Sequence, residues 1–431
     1  MNYAQTIEYL FTTTPSFQQV GADAYKPGLE RILSFCHHLG DPQKNYKTIH
    51  VAGTNGKGSV SHMLASVLQH SGYRVGLFTS PHLRDFRERM RVDGEMISER
   101  RVVDFVARHK DKMRELDLSF FEMTTAMAFD FFSASDVEVA VIETGLGGRL
   151  DATNVILPEL CVVTNIGLEH TDLLGDTIEK VAADKAGIIK PSVPIILGEA
   201  NEQYNHVFEQ RAAACGSRVI YAEQELKVVE RRRERDFQHI VLHRERDAHR
   251  FEIDMDLVGE YQCHNVVTAA AAADYLDTCT QLTIPRRDFL EGMAEVAATT
   301  SLAGRWQRLA DAPYTVCDTG HNAHGIKYVA EELQRLAPYY NRQICVIGFA
   351  KEKSIDDILP LLPRNAYYIF TQASTPRALP AEALASKASA FGLEGELSCT
   401  VAEALARACE IATEQDMIFV GGSNFVVAEI V

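Results

Sequence analysis

No stretch of 18 consecutive apolar residues occurs anywhere in this 431-residue chain, so a membrane-spanning helix is not expected. The first residues, Met1-Asn2-Tyr3-Ala4-Gln5, offer no basic segment ahead of an apolar one. A secretory leader is therefore not expected either, and the cytoplasm is the expected compartment. The nine cysteines include no C-x-x-C pair and their number is odd. That speaks against a disulfide framework or a zinc site, and for reduced, mostly buried thiols. There is no excess of positive charge. The formal net charge of −16 excludes a broad nucleic-acid surface, although a local pocket can still hold a small anion. Internal repeats and low-complexity tracts are absent too. What is present is the 46% apolar and 24% charged balance of a soluble globular protein, at a length that calls for two or three domains.

Strand-like apolar runs at 48–52, 74–78, 137–143, 160–165 and 193–197 alternate with helical periodicity at 59–71, 99–115, 122–133 and 177–188. This alternation predicts an α/β domain with crossover helices and a mostly parallel sheet. Between Lys227 and Asp256 the pattern changes to alternation among dense charges such as Arg231, Arg232, Arg233 and Glu234. Because both signs interleave, a solvated antiparallel strand pair is expected there rather than a polyanion contact. An alanine-rich helix over 259–279 follows, then small residues at 297–304 that suit a linker. Runs at 314–317, 343–348, 367–371 and 416–420, alternating with helices at 324–336, 380–391 and 401–413, predict a second, smaller Rossmann-like α/β domain. The expected division is 1–296, a linker over 297–304, and 305–431.

The sharpest local signal is Gly53-Thr54-Asn55-Gly56-Lys57-Gly58-Ser59, placed directly after the apolar run 48–52 and before a helical pattern. Glycines let backbone N–H groups turn toward a ligand, Lys57 adds a point charge, and the helix N-terminus adds its partial positive end. The segment departs from the strict GxxxxGK[ST] string. Val51 stands at the first glycine position, and Gly58 separates Lys57 from Ser59. Ligands of open α/β sheets sit beyond the carboxyl ends of the strands. Three further segments fall there: Thr79-Ser80-Pro81-His82, Glu143 with the glycines behind it, and Asn165 to His170. Each alone reads as a cap or a structural histidine. Together, a serine hydroxyl, a carboxylate and an imidazole around a phosphate loop can hold Mg²⁺.

The segments HVAGTNGKGS (50–59), TSPHL (79–83), FFEMTTAMAF (120–129), ETGLGGRLDATN (143–154), TNIGLEHTDLLGDT (164–177), DKAGIIK (184–190), GRWQ (304–307) and DTGHNAHG (318–325) resemble, in order and spacing, the folylpolyglutamate synthases and dihydrofolate synthases of the Mur ligase superfamily. The resemblance covers nearly the whole chain. It implies a Mur-ligase-like P-loop ATPase domain followed by the smaller α/β domain. It also implies two Mg²⁺ ions, with Ser80, Glu143 and His170 as ligands, and ATP phosphates held by Thr54, Asn55, Gly56, Lys57, Gly58 and Ser59. Lys185 matches a lysine carbamylated in the superfamily. Asn265, Arg305 and Asp318 match nucleotide-binding positions, and His321 matches a motif that faces the interdomain cleft in the family. Thr319-Gly320 departs from the family's usual Gly-Ala, and Asn424 is inserted before Phe425 in Gly421-Gly422-Ser423, so no role is carried onto that last segment. For the pteridine substrate the resemblance implies Lys26, Pro27, Gly28 and Leu29, then Phe121, Glu122 and Met123, then Arg149, Leu150, Asp151 and Ala152. Physically, Phe121 reads equally as a core residue, and Asp151 equally as a cap of the turn before Thr153.

The implied activity is ATP-dependent addition of L-glutamate to dihydropteroate and to reduced folates through an acyl phosphate, by a cytoplasmic monomer using Lys57, Lys185 and His321. Arg149-Leu150-Asp151-Ala152 resembles the bifunctional enzymes. A monofunctional folylpolyglutamate synthase and another Mur-type amino-acid ligase are the alternatives. A peptidoglycan-precursor ligase usually carries an N-terminal domain for its UDP-sugar, for which a loop at residue 53 leaves no room. A P-loop kinase or GTPase needs neither the second domain nor Lys185. A non-catalytic ATP-binding module is not expected to retain Lys57, Glu143, His170 and Lys185 together.

Overall fold

The computed structural model describes residues 1–14, 26–234 and 237–431. The β-branched runs become strands whose neighbours on both sides are apolar. β1 (Lys47–Ala52) stands inside an eight-stranded sheet ordered β4-β3-β2-β5-β1-β6-β7-β8. Its other members are β2 (Val75–Phe78), β3 (Met90–Val92), β4 (Glu95–Met96), β5 (Val139–Glu143), β6 (Leu160–Val163), β7 (Ile195–Leu197) and β8 (Val219–Tyr221). The six strands from β2 to β8 through β5, β1, β6 and β7 are parallel, and β3 and β4 close one edge as an antiparallel hairpin. Ile49, Val51, Val141 and Val162 pack on one face, under the helices Lys57–His70 and Gln262–Cys279. Phe78, Ala140 and Ile142 pack on the other with Phe129 and Phe132 of the helix Phe120–Ser133. Both faces are covered, which is why β5 and β6 read as nearly continuous apolar runs rather than alternating ones.

The charged segment differs from the expected solvated pair. It forms three antiparallel strands, β9 (Leu226–Arg233), β10 (Gln238–Arg244) and β11 (His249–Met255), ordered β11-β10-β9. Ile240, Leu242, Ile253 and Met255 belong to the same core as the helix Lys57–His70. The alternation marks one dry face and one wet face, and the sheet packs on the helices Gln262–Cys279 and Arg286–Ala294, which in turn pack on the phosphate-loop helix. The small residues near 297 also behave differently: Val296–Thr300 is helical, so irregular chain begins only at Ser301. Asp256 Oδ2 caps that helix by accepting from the Ala297 and Ala298 N–H groups.

By internal packing the chain divides into Met1–Val258 with Gln262–Leu302, and Gly259–Tyr261 with Ala303–Val431. The smaller unit holds a six-stranded sheet ordered β12-β13-β17-β14-β15-β16. These are β12 (Gln307–Asp311), β13 (Tyr314–Asp318), β14 (Gln343–Ile347), β15 (Tyr367–Phe370), β16 (Gly395–Leu397) and β17 (Met417–Gly421), all parallel except the edge strand β12. Among the described residues no helix is long and apolar enough to cross a membrane. All nine cysteines are free thiols. The expectation that most are buried is corrected: Cys36, Cys161, Cys317 and Cys345 are buried, whereas Cys279, Cys399 and Cys409 are exposed. The buried ones lie in core elements, while Cys279 ends a helix and Cys409 lies on the outer side of another.

Candidate active site

β1 delivers the chain to the carboxyl edge of the sheet, and the glycine loop is tied there to the end of β6. The Thr54 N–H donates to the Asn165 carbonyl (3.0 Å) and the Asn55 N–H to Asn165 Oδ1 (2.9 Å). Thr164 Oγ1 donates to the Asn55 carbonyl. Thr54 Oγ1 exchanges two bonds with Gly167, accepting from its N–H at 2.9 Å and donating to its carbonyl at 3.1 Å. Gly56 adopts φ +81°, and a Cβ there would lie 2.2 Å from Asn265 Oδ1. Only glycine satisfies both the backbone angle and that approach. The helix Lys57–His70 begins without a side-chain cap, so its first N–H groups are left for an anion. Asn265 Nδ2 donates to Gln262 Oε1 (2.7 Å), and Gln262 Nε2 to Ser59 Oγ (3.3 Å). Thr54 through Ser59 and Asn265 are thus brought together.

Two lysines meet at this loop. Lys57 Nζ donates to the carbonyls of Gly53 (2.9 Å) and Thr54 (3.0 Å), and Lys185 Nζ donates to the same Gly53 carbonyl (2.7 Å). Lys185 is buried at the end of the helix Ile178–Lys185. Burial, reinforced by the charge of Lys57, pushes its amine down to about 7. Its placement follows from the glycine turn after β5. The Gly148 N–H donates to Asp184 Oδ1 (2.8 Å) and the Arg149 N–H to the Asp184 carbonyl (2.9 Å), laying the turn on the helix end.

Glu143 ends β5 and is buried, and its Oε2 accepts from the Ser80 N–H at 3.0 Å. His170 sits in the left-handed conformation (φ 51°) at the start of the short helix Thr171–Leu174, with Nε2 3.7 Å from Glu169 Oε1. Among the described residues no three His, Cys, Asp or Glu side chains converge on a metal site. The Ser80 hydroxyl and the Glu143 carboxylate are oxygen donors that suit Mg²⁺, which keeps several waters and shares phosphate oxygens instead of filling an all-protein cage, whereas the His170 imidazole is a less usual ligand for that ion.

Sequence reasoning missed Arg89. It lies inside Arg84-Asp85-Phe86-Arg87-Glu88-Arg89, a mixed-charge run that reads as a wet surface, yet it is buried. Burial lowers its guanidinium to about 10 against the pull of Glu143 and Glu88. Arg89 Nε donates to His82 Nδ1 (2.7 Å), and its guanidinium lies 5.5 Å from the centre of the Phe120 ring. Burial and this cation keep His82 neutral, well below the usual histidine range. His50 was missed as well. It is fully buried, and its Nε2 lies 2.8 Å from Thr153 Oγ1.

The residues expected to wall the pteridine site divide. Lys26 Nζ pairs with Asp117 Oδ1 (2.7 Å), Pro27 is exposed, Gly28 is left-handed (φ +112°), and Leu29 packs on the core. Phe121 is half-buried, and its ring covers Gly145 so closely that a Cβ there would lie 2.4 Å from it. Glu122 and Met123 turn inward. Glu122 Oε2 accepts from the Ser119 N–H (2.7 Å) in a capping box and its carboxylate pairs with Arg31 Nε (3.1 Å), while Met123 is buried in the core. Arg149 is exposed, 3.7 Å from Asp184 Oδ2, and Leu150 is half-buried. Asp151 is buried with both oxygens committed: Oδ2 accepts from the Gly145 (2.9 Å) and Leu146 (2.8 Å) N–H groups, and Oδ1 from the Thr153 N–H and hydroxyl. It organises the turn, and burial raises its carboxyl above the usual range despite these donors. Ala152 is buried beneath it.

In the smaller unit, Asp318 ends β13 and accepts from the Tyr261 hydroxyl (2.6 Å), the Trp306 N–H (2.8 Å) and the Gly320 N–H (2.7 Å). The Thr319 N–H and hydroxyl donate to the Gly304 carbonyl (3.0 and 3.1 Å), as does Arg305 (3.3 Å). His321 Nδ1 lies 3.0 Å from the Thr319 carbonyl. Asp318 therefore fixes the turn that presents Arg305 and His321, and the atypical Thr319 serves that turn through its hydroxyl. The inserted Asn424 opens a short helix, Asn424–Ala428, capped by Ser423.

Comparison with known proteins identifies the family. Residues 51–273 match the Mur ligase middle domain, and residues 304–424 the Mur ligase glutamate ligase domain. The chain is 32% identical to folylpolyglutamate synthase of Lacticaseibacillus casei, across 98% of this chain and 96% of that protein. It is 35% identical to dihydrofolate synthase/folylpolyglutamate synthase of Bacillus subtilis, across 82% of this chain and 83% of that one. The solved structure of E. coli FolC in complex with DHPP and ADP superposes with a TM-score of 0.86 at 28% identity, covering 100% and 97% of the two chains. With both domains matched in order and full-length relatives of this identity, the chain belongs to the Mur ligase family, among its dihydrofolate synthases and folylpolyglutamate synthases.

Proposed function

We propose that this chain is an ATP-dependent ligase that joins L-glutamate to a folate-type carboxylate, using both dihydropteroate and reduced folates as acceptors. The observation that carries this reading is the convergence of Lys57 and Lys185 on one carbonyl of an uncapped glycine loop, with Ser80 and Glu143 bonded to each other at the next strand end. The substrate carboxylate attacks the γ-phosphorus of ATP, giving an acyl phosphate and ADP. The glutamate amine then attacks the acyl carbon, and phosphate leaves as the amide forms. The loop N–H groups and Lys57 orient the triphosphate and meet the charge that grows in transfer, and the family resemblance gives Arg305 and Asp318 a nucleotide-binding role as well. His321 contacts the reacting groups.

Mg²⁺ held by Ser80, Glu143 and His170 supplies charge neutralisation when bound. Lys185 is suited to modification because a buried amine at about 7 is substantially neutral at cytoplasmic pH. The neutral amine adds to CO₂, its N–C bond forms, and a proton is released, leaving a carbamate anion beside Lys57. The full reading includes a cytoplasmic monomer. Support for both acceptors comes from relatives named for both activities, since Asp151 has no oxygen left for a pterin. ADP release by the purified chain, assayed with dihydropteroate and with tetrahydrofolate, each with and without L-glutamate, tests the proposal. Glutamate-dependent ADP with both acceptors is expected. Release with tetrahydrofolate alone means a monofunctional synthase, and release with neither overturns the reading.

A further inference from the structure

One residue, Asn165, takes two N–H groups of the glycine loop: its carbonyl accepts from Thr54 (3.0 Å) and its Oδ1 from Asn55 (2.9 Å). The other end of the same amide, Nδ2, donates to Glu199 Oε1 at 2.9 Å. Glu199 is itself fixed. Its N–H donates to the Thr164 carbonyl (3.0 Å), and its carbonyl accepts from the Tyr204 hydroxyl (2.8 Å). The residue before it, Gly198, lies so near β6 that a Cβ there would stand 2.4 Å from the Thr164 carbonyl oxygen. No motif singles out Glu199, and the mechanism above does not use it.

We propose that Glu199 is a positioning residue for nucleotide binding: through Asn165 it fixes the glycine loop in the form that takes the ATP phosphates. The proposal rests on the ligase reading only in taking ATP as the ligand of that loop. An asparagine amide has two ends of the same shape and opposite chemistry. Turned over, Asn165 would set its NH₂ against the Asn55 N–H, donor facing donor, and its oxygen against the Glu199 carboxylate, acceptor facing acceptor. An ionised carboxylate only accepts, so Glu199 admits one orientation of the amide, and its charge strengthens that bond. Without it the amide is held in register by the Asn55 N–H alone, so it turns more readily and orients the Asn55 peptide plane less firmly. Glu199 is only half-buried, so its loss falls on the loop far more than on folding.

The full chain is compared with Glu199→Ala, Glu199→Gln, Asn165→Asp and the Asn165→Asp/Glu199→Gln pair. The readouts are the Kd of a Mg²⁺-bound non-hydrolysable ATP analogue, steady-state kinetics and thermal unfolding. Glu199→Ala should raise the KM for ATP and the analogue Kd about tenfold, the size of one lost charge-assisted hydrogen bond. It should change kcat by less than about threefold and leave the KM values for glutamate and acceptor unchanged. Glu199→Gln should recover most of this, since the new Oε1 still accepts from Asn165. Asn165→Asp alone sets two carboxylates face to face and should bind worse than Glu199→Ala. Adding Glu199→Gln should rescue it, because the amide introduced at 199 donates to the carboxylate introduced at 165. Glu199→Gln as damaging as Glu199→Ala, no rescue in the pair, or a loss of affinity matched by a fall in Tm would each overturn the proposal. A wild-type chain that binds the analogue but releases no ADP with any acceptor would defeat the ligase reading, and the Kd series would still decide the role of Glu199.

Discussion

Replacing Lys185 by methionine should make the protein more stable at neutral pH, by an amount that fades as pH rises. The ordinary amine value of 10.5 falls to about 7 in the fold, a difference of about 3.5 units, which corresponds to roughly 5 kcal/mol. The sign follows from proton counting. Between about 7 and 10.5 the unfolded chain holds a proton on this lysine that the folded chain lacks, so stability climbs with pH through that window and is lowest, by the full amount, below it. Methionine fills nearly the same volume without a charge and forgoes only the bond to the Gly53 carbonyl, about 1 kcal/mol. The variant should therefore lead by about 4 kcal/mol at pH 6, and that lead should shrink by about 3 kcal/mol at pH 9. Urea unfolding in CO₂-free buffer measures this. A change of that size moves the midpoint of the larger unit's transition by about 1 M or more between the two pH values. Bicarbonate should stabilise only the wild type, because only its amine can add CO₂. Parallel stability profiles for wild type and Lys185→Met across pH 6 to 9 would refute the reasoning, since they would mean that the lysine keeps its proton when buried.

Lys57→Ala should lower glutamate-dependent ADP release by about 10²–10³-fold with an unchanged circular dichroism spectrum, the usual cost of one lost contact to transition-state charge; near-normal turnover would remove the loop from catalysis. Gly56→Ala forces a Cβ to within 2.2 Å of Asn265 Oδ1 at φ +81°, and calorimetry should show ATP-analogue affinity falling at least about tenfold; retained affinity would mean the loop tolerates a different path. Asp151→Asn turns an acceptor-only group with four donors around it into one that also donates, so urea unfolding should show a loss of about 2–4 kcal/mol. Activity with both acceptors should fall alike, and a selective loss of dihydropteroate use at unchanged stability would return Asp151 to the substrate site.

The loop and its strand were legible because they are contiguous: an apolar run, three glycines and a lysine dictate their geometry within about a dozen residues of chain. The central parallel strands were legible for the same reason, since burial on both faces writes nearly continuous apolar runs. The hairpin of β3 and β4 was not, because Met90–Val92 and Glu95–Met96 are too short and too charged to show a period. Carboxylates were the recurring difficulty. Glu122 and Asp151 stand in motif segments beside the expected substrate, yet a carboxylate that receives backbone N–H groups looks the same in sequence as one that receives a ligand. Arg89 failed in the opposite direction, since neighbouring charges of both signs disguised a buried cation. Glu199 had no signal at all, because its role exists only through the side chain it holds 34 positions away.

The chain passes between its two units after Val258, after Tyr261 and after Leu302, because Gly259–Tyr261 is packed with the smaller unit while Gln262–Leu302 returns to the larger. No single cut therefore yields two self-sufficient pieces. A fragment ending at Leu302 carries Tyr261 away from Asp318, and a fragment starting at Ala303 leaves that carboxylate short of one donor. Gene fission would need complementation to restore the pair, whereas excision of the smaller unit needs Val258 rejoined directly to Gln262. Recombination that swaps the smaller unit for a homologue's must therefore also exchange the tripeptide Gly259–Tyr261 within the sequence of the larger one.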